Sequence, residues 1–177
     1  MDFIIRFTFG ILLIGATRLA AQDNCQPTYD AMNKVMTTPT HIYGTMTAVP
    51  NNGDKPITTE TIYTGGSAYV KVGGKWTRSS MTPQQVMKRE EENRKNSKTT
   101  CRYLKDESVS GETTAVYSTH SENSEMDVKS DGQIWISKGR GLPLREEMDI
   151  GMGRESSKHH HSVRYEYGNV QPPQLEQ

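Results

Sequence analysis

The sequence predicts an α+β protein that is mainly β: a strongly curved antiparallel sheet covered by two helices. Three observations predict it. Short runs with strand-like alternation recur along most of the chain, turn residues separate them, and only two stretches carry the marks of an amphipathic or capped helix. Several connections between the runs are only a few residues long, too short for parallel crossovers, which need a dozen residues or more, so the sheet is expected to be antiparallel throughout. Long antiparallel sheets twist and curl.

Residues 1–22 read MDFIIRFTFGILLIGATRLAAQ, with Arg6 ahead of an apolar run from Phe7 to Ala16 and small residues at Ala20 and Ala21. This is the layout of a secretory signal peptide, expected to be removed after Ala21. The apolar run is roughly half of the ~20 residues that a membrane-spanning helix needs, so the expectation is a mature chain, residues 22–177, with no integral membrane span. That mature chain fits one domain by length. Two cysteines remain in it, Cys25 and Cys101. An exported protein meets an oxidising compartment, so a Cys25–Cys101 disulfide is expected, with two independent buried thiols as the alternative. Closing that loop stabilises a fold by about 4 kcal/mol in the chain-entropy account.

Lys plus Arg and Asp plus Glu are equal at 21 each, which leaves no net field to recruit nucleic acid or an acidic surface. Only 33% of residues are hydrophobic, so the core is modest and stability leans on hydrogen-bonded sheet and the disulfide.

After Cys25, the run Pro27–Met36 places Tyr29, Met32, Val35 and Met36 on one side of a helix that Thr37 to Pro39 stop. A second helix is announced by the capping-box spacing of Thr82 and Gln85 and by Pro83 at its first position. Its body is mostly charged, with Val86 and Met87 as the apolar contact. Strands are expected over 41–49, 57–64, 67–72 and 75–79, with two-glycine hairpin turns at Gly65-Gly66 and Gly73-Gly74. Further candidates are 100–107, 113–119, 125–129, 133–138, 144–150 and 162–170. Gly44 and Gly168 fall inside strand patterns, where a missing side chain permits bending or close approach of another backbone.

Taken together, several segments resemble one family: Tyr63-Thr64-Gly65-Gly66 with Tyr69-Val70-Lys71 and Gly74-Lys75-Trp76, Cys101-Arg102-Tyr103 with Val109-Ser110-Gly111, Ile134-Trp135-Ile136-Ser137 leading to Gly141-Leu142-Pro143-Leu144-Arg145, and Tyr165-Glu166-Tyr167-Gly168-Asn169-Val170. They are similar to the outer-membrane lipoprotein-sorting (LolA-like) superfamily, of which the chain looks like a divergent member. The resemblance implies an incomplete barrel whose concave side is covered by helices, with an apolar cavity that accepts a lipid, an acyl chain or a lipoprotein. It implies a periplasmic carrier, without enzymatic activity and without a cofactor.

Aromatic positions within the strands are the candidates for lining such a cavity: Tyr69, Trp76, Trp135, Tyr165 and Tyr167, with plain core packing as the other role open to them. His159, His160 and His161 form the one cluster with metal character, His159 and His161 sharing a face if a strand begins there. Closed zinc sites want four ligands, and His41 and His120 lie far off in sequence, so a solvated loop is the plainer reading. Arg140, Arg145, Glu146, Glu147 and Asp149 surround Gly141-Leu142-Pro143 and read as a solvated turn. No nucleophile elbow and no phosphate cradle occurs. Two alternatives stand beside ligand binding: an envelope structural or interaction module with a filled core and a protein partner, and metal binding through the histidine cluster.

Overall fold

The computed structural model describes residues 24–153 and 157–175; the expected leader, residues 1–21, lies outside the described residues. Helix α1 (Gln26–Thr37) leads into strands β1 (Thr40–Val49), β2 (Ile57–Thr64), β3 (Ser67–Val72) and β4 (Lys75–Arg78). Helix α2 (Pro83–Lys95) is followed by β5 (Ser97–Val109), β6 (Glu112–Asn123), β7 (Val128–Ser137), β8 (Pro143–Met152) and β9 (Ser157–Tyr167). All nine strands form one antiparallel sheet in the order β4-β3-β2-β1-β9-β8-β7-β6-β5. It is two meanders, joined where the first strand pairs with the last.

Local chemistry explains most of these boundaries. Thr82 caps α2 reciprocally with Gln85: the Gln85 N–H donates to Thr82 Oγ1 at 3.3 Å, and the Thr82 N–H donates to Gln85 Oε1 at 2.8 Å. The turns Gly65-Gly66 and Gly73-Gly74 hold positive φ at both central residues, the geometry that matches the twist of the strands they join. Gly44 is a site of close approach, since a Cβ there would stand 2.4 Å from Thr59 Oγ1. Gly168, by contrast, follows β9 in a bend with φ 118° and is not within the strand. The candidates over 125–129 and 133–138 are one strand, β7, preceded by a turn over 124–127; Gly132, which looks like a breaker, sits inside it because a Cβ would meet Glu147 O at 2.5 Å.

The sheet curls: its two edge strands, β4 and β5, are eight interstrand steps apart in the order of pairing, yet Tyr63 of β2 and Thr99 of β5 line one cavity under the helices. The open, curved sheet with helices on one side is the architecture implied by the LolA-like resemblance. A disulfide between Cys25 and Cys101, 76 residues apart, fastens the start of α1 to β5, as the cysteine pattern predicted.

Helix α1 packs Thr28, Ala31 and Val35 against the inner side of the sheet. Ala31 meets Ile134 and Ile136, while Val35 meets Val163 and Tyr165 with Ile42, Tyr63 and Tyr167 around them. The small residues at 28 and 31 let the helix come close. Its other apolar residues, Met32 and Met36, are thereby turned toward the space beside it.

Candidate functional site: a cavity between sheet and helices

The register assigns every strand residue to a face. On the inner, helix-covered side the row Tyr63, Thr40, Tyr167 runs across β2, β1 and β9, and Tyr165, Val163 and Glu146 belong to the same side. On the outer side lie Tyr69, Trp76 and Trp135. The five aromatic candidates therefore do not share a face: Tyr165 and Tyr167 look toward the helices, and Tyr69, Trp76 and Trp135 look away from them.

Between helices and sheet lies a cavity of about 480 Å³. Helix α1 contributes Tyr29, Met32, Asn33 and Met36 to its wall, and α2 contributes Val86, Met87, Glu90 and Arg94. The sheet supplies Tyr63, Ile134, Glu146 and Met148 together with the small polar side chains Thr119, Ser121 and Ser130. Four methionines in one wall give an unbranched, polarizable lining that can adjust to the shape of an apolar guest. At the α2 side, the Arg94 guanidinium lies 4.7 Å over the Tyr29 ring, and Glu90 is exposed.

One charged side chain reaches the floor of this cavity. Glu146 belongs to the inner side because β8 alternates: Leu144, Glu146, Met148 and Ile150 fall on one parity, Arg145, Glu147 and Asp149 on the other. The reading of 140–149 as a solvated turn therefore fails for Glu146. Its Oε2 accepts a hydrogen bond from the Tyr165 hydroxyl at 3.0 Å, and that hydroxyl also faces Met32 Sδ at 3.8 Å. The residue is half-buried by accessible surface and lines the cavity, with protein packed closely around its carboxyl. Desolvation raises the Glu146 pKa, and the Tyr165 bond opposes that only in part. Burial likewise raises the Tyr165 phenol well above its ordinary value, helped by the neighbouring carboxylate. Tyr167, raised by burial, donates to the Pro143 carbonyl.

The outer side is different in kind. His120, Asp131, Asp149 and His160 stand side by side on β6, β7, β8 and β9. Each imidazole is hydrogen-bonded to its neighbouring aspartate at 2.7 Å. The hydrogen bond that His120 donates to Asp131 raises the His120 pKa, and the one that His160 donates to Asp149 raises that of His160, where Glu147 adds to the effect. Burial works against ionisation of Glu147, but Arg145, Ser162 and His160 together hold its pKa low. Trp135 is buried under the Arg145 guanidinium, 4.8 Å from its ring. Glu107 lies toward its indole N–H, but no bond of normal geometry forms. Tyr69 of β3 and Trp76 of β4 lie on this side too, with Lys71 5.7 Å from the Trp76 ring.

The three histidines at 159–161 split between the faces. His159 and His161 point to the inner side as alternation predicts, and His160 points outward into its carboxylates. Among the described residues, no group of three or more His, Cys, Asp or Glu side chains is arranged to hold a metal ion. No described helix is long and apolar enough to cross a membrane.

No family profile matches the chain, and no curated protein sequence does. Among solved structures, the chain is similar to LprF from Mycobacterium bovis at a TM-score of 0.42 and 10% identity, over 84% of this chain and 94% of that one. It is similar also to a DUF1329 family protein from Desulfovibrio piger, at a TM-score of 0.30 and 13% identity over 85% and 95% of the two chains. Likenesses of this size decide nothing about a ligand, and the functional reading rests on the cavity.

Proposed function

We infer that this protein is an exported, periplasmic carrier that binds an apolar or lipid-like ligand in the cavity between its curved sheet and its helices, and that it does no chemistry. The observation that carries the reading is the cavity of about 480 Å³ walled by Met32, Met36, Val86, Met87, Ile134 and Met148. Its size falls within the range of roughly 300–1,000 Å³ usual for small-molecule sites, which are concave and mostly apolar with a few placed polar groups. A filled core would favour an interaction module, and the cavity between these layers supports the carrier reading instead. The disulfide suits an oxidising compartment, and the amino-terminal sequence suits export.

Titration of delipidated protein with a fluorescent, uncharged long-chain alkyl probe tests the reading. Saturable one-to-one binding is expected, weakened strongly by Ile134→Asp or Met148→Asp on the inner side and little by Trp76→Ala on the outer side. No saturable binding in the micromolar range defeats it.

A further inference from the structure

The cavity floor holds a feature that a purely apolar guest does not use. Of the Glu146 carboxylate oxygens, Oε2 takes the Tyr165 hydroxyl. Oε1 has no hydrogen-bond partner among the described residues, and no described basic side chain forms an ion pair with Glu146. The carboxyl borders the cavity beside Met148 and Ile134. A carboxyl taken out of water is stable only when it is hydrogen-bonded and paired, or when it is protonated. The fold supplies one hydrogen bond and no cation, so burial alone favours the protonated carboxyl, and a cation entering the cavity would supply the partner that favours its ionised form.

We propose that Glu146 is the polar anchor of the site and selects amphipathic ligands whose head is a hydrogen-bond donor, above all a protonated primary amine on a long apolar chain. This rests on the carrier reading and adds the class of head group to it. In the bound state the ammonium donates to Oε1 while the Tyr165 hydroxyl holds Oε2, and the chain lies against Met32, Ile134 and Met148. A charge-assisted bond of this kind is about twice as strong as a neutral one. The other titratable groups that face the cavity agree with the choice. Glu90 at the exposed side of α2 adds a second negative charge, and Arg94, the one cation of the wall, is engaged over the Tyr29 ring. A carboxylate head meets the opposite situation, two acidic side chains and a desolvated floor. With no ligand bound, burial favours the neutral form of Glu146, so an uncharged alcohol is accepted as well.

Isothermal titration of the full chain with dodecylamine, dodecanol and dodecanoic acid at neutral pH, each below its micelle concentration, tests the assignment. The expected order is amine tightest, alcohol next, acid weakest, with the amine at least about tenfold tighter than the acid, as befits a desolvated charge pair. Glu146→Gln, nearly the same in shape, should take away the advantage of the amine, again about tenfold, and bring its affinity level with that of dodecanol on the same variant. Dodecanoic acid binding the parent protein as tightly as dodecylamine overturns the proposal, and so does an amine preference that survives Glu146→Gln. If dodecanol and the amine both fail to bind the parent, the carrier reading itself falls. Dodecanol binding with no preference for the amine removes only the anchor.

Discussion

The two faces of this sheet are made from the same strands and contain similar residue types, yet they are built to opposite rules. Outside, charges come in ready-made sets: His120 with Asp131, His160 with Asp149 and Glu147, Lys71 and His41 with Glu60. Trp135 lies under Arg145 and Tyr43 under Arg164, so even the outer aromatics are covered by long basic side chains. Inside, polar groups are few, apolar side chains leave a gap, and the one deep carboxyl has a single hydrogen-bond donor. The outer face is satisfied by its own residues, whereas the inner face is left to be completed. Exposed pairs contribute little each, because water screens them; the inner groups act in a poorly hydrated space, where a single change has consequences.

The disulfide belongs to the inner side and gives the largest expected effect. Replacing Cys25 and Cys101 together by Ser should lower the unfolding free energy by about 4 kcal/mol, since the bond closes a long loop. Denaturant unfolding with and without reductant measures it; a loss below about 1 kcal/mol would mean that the clasp of α1 onto β5 matters little to the fold.

Two glycines of the inner face then grade the tightness of its layers. Gly132→Ala should cost about 3 kcal/mol, because its Cβ would press on the backbone carbonyl of Glu147, which cannot move alone. Gly44→Ala should cost about 1 kcal/mol, since the obstacle is the Thr59 hydroxyl, which can rotate away. The reverse order of melting temperatures would show that the inner surface yields where it is described as rigid.

Protonation separates the faces by the effect of removing one group. The Glu146 pKa is raised in the folded state, so its contribution to stability is fully present below the ordinary glutamate value of 4.5 and is lost as pH rises through its raised pKa. Glu146→Gln should therefore gain stability relative to the parent as pH climbs from 4.5 toward neutrality. A difference that stays flat with pH would remove the desolvated carboxyl from the account. His160 obeys the same sign in a higher window: its stabilisation is complete below 6.5 and fades as pH rises through its raised pKa. The smallest expected effect is that of His160→Gln, roughly 0–1 kcal/mol at acidic pH and further reduced by salt, because the imidazole is partly exposed.

Much of the fold was legible because its signals are local. The Thr82–Gln85 capping box and Pro83 located α2, and the paired glycines located two hairpin turns. Alternation gave the strands, and the two cysteines gave the clasp. The faces were less legible, because alternation within a strand says which residues go together but not which side they take; that phase is set by register with the neighbours. Trp135 and Tyr165 look alike in sequence, and only the pairing of β7 with β8 and of β8 with β9 puts them on opposite sides. Glu146 was hidden among charges, although Leu144, Glu146, Met148 and Ile150 already carried the parity that buries it. The candidates 125–129 and 133–138 stood apart because a sequence does not reveal that a backbone carbonyl passes over Gly132 between them. The cavity wall was half visible: Met32, Met36, Val86 and Met87 were the apolar residues expected of the two helices, while the space between them arises only when the sheet curls.

The central claim is that the inner face, and not the outer, receives a ligand. Native mass spectrometry of gently purified protein tests it most directly, run on the parent, on Ile134→Asp inside and on Trp76→Ala and Tyr69→Ala outside. A bound lipid-sized mass is expected, retained by both outer variants and lost from Ile134→Asp. A mass that is lost on changing Trp76 or Tyr69 and kept with Asp at position 134 would contradict it.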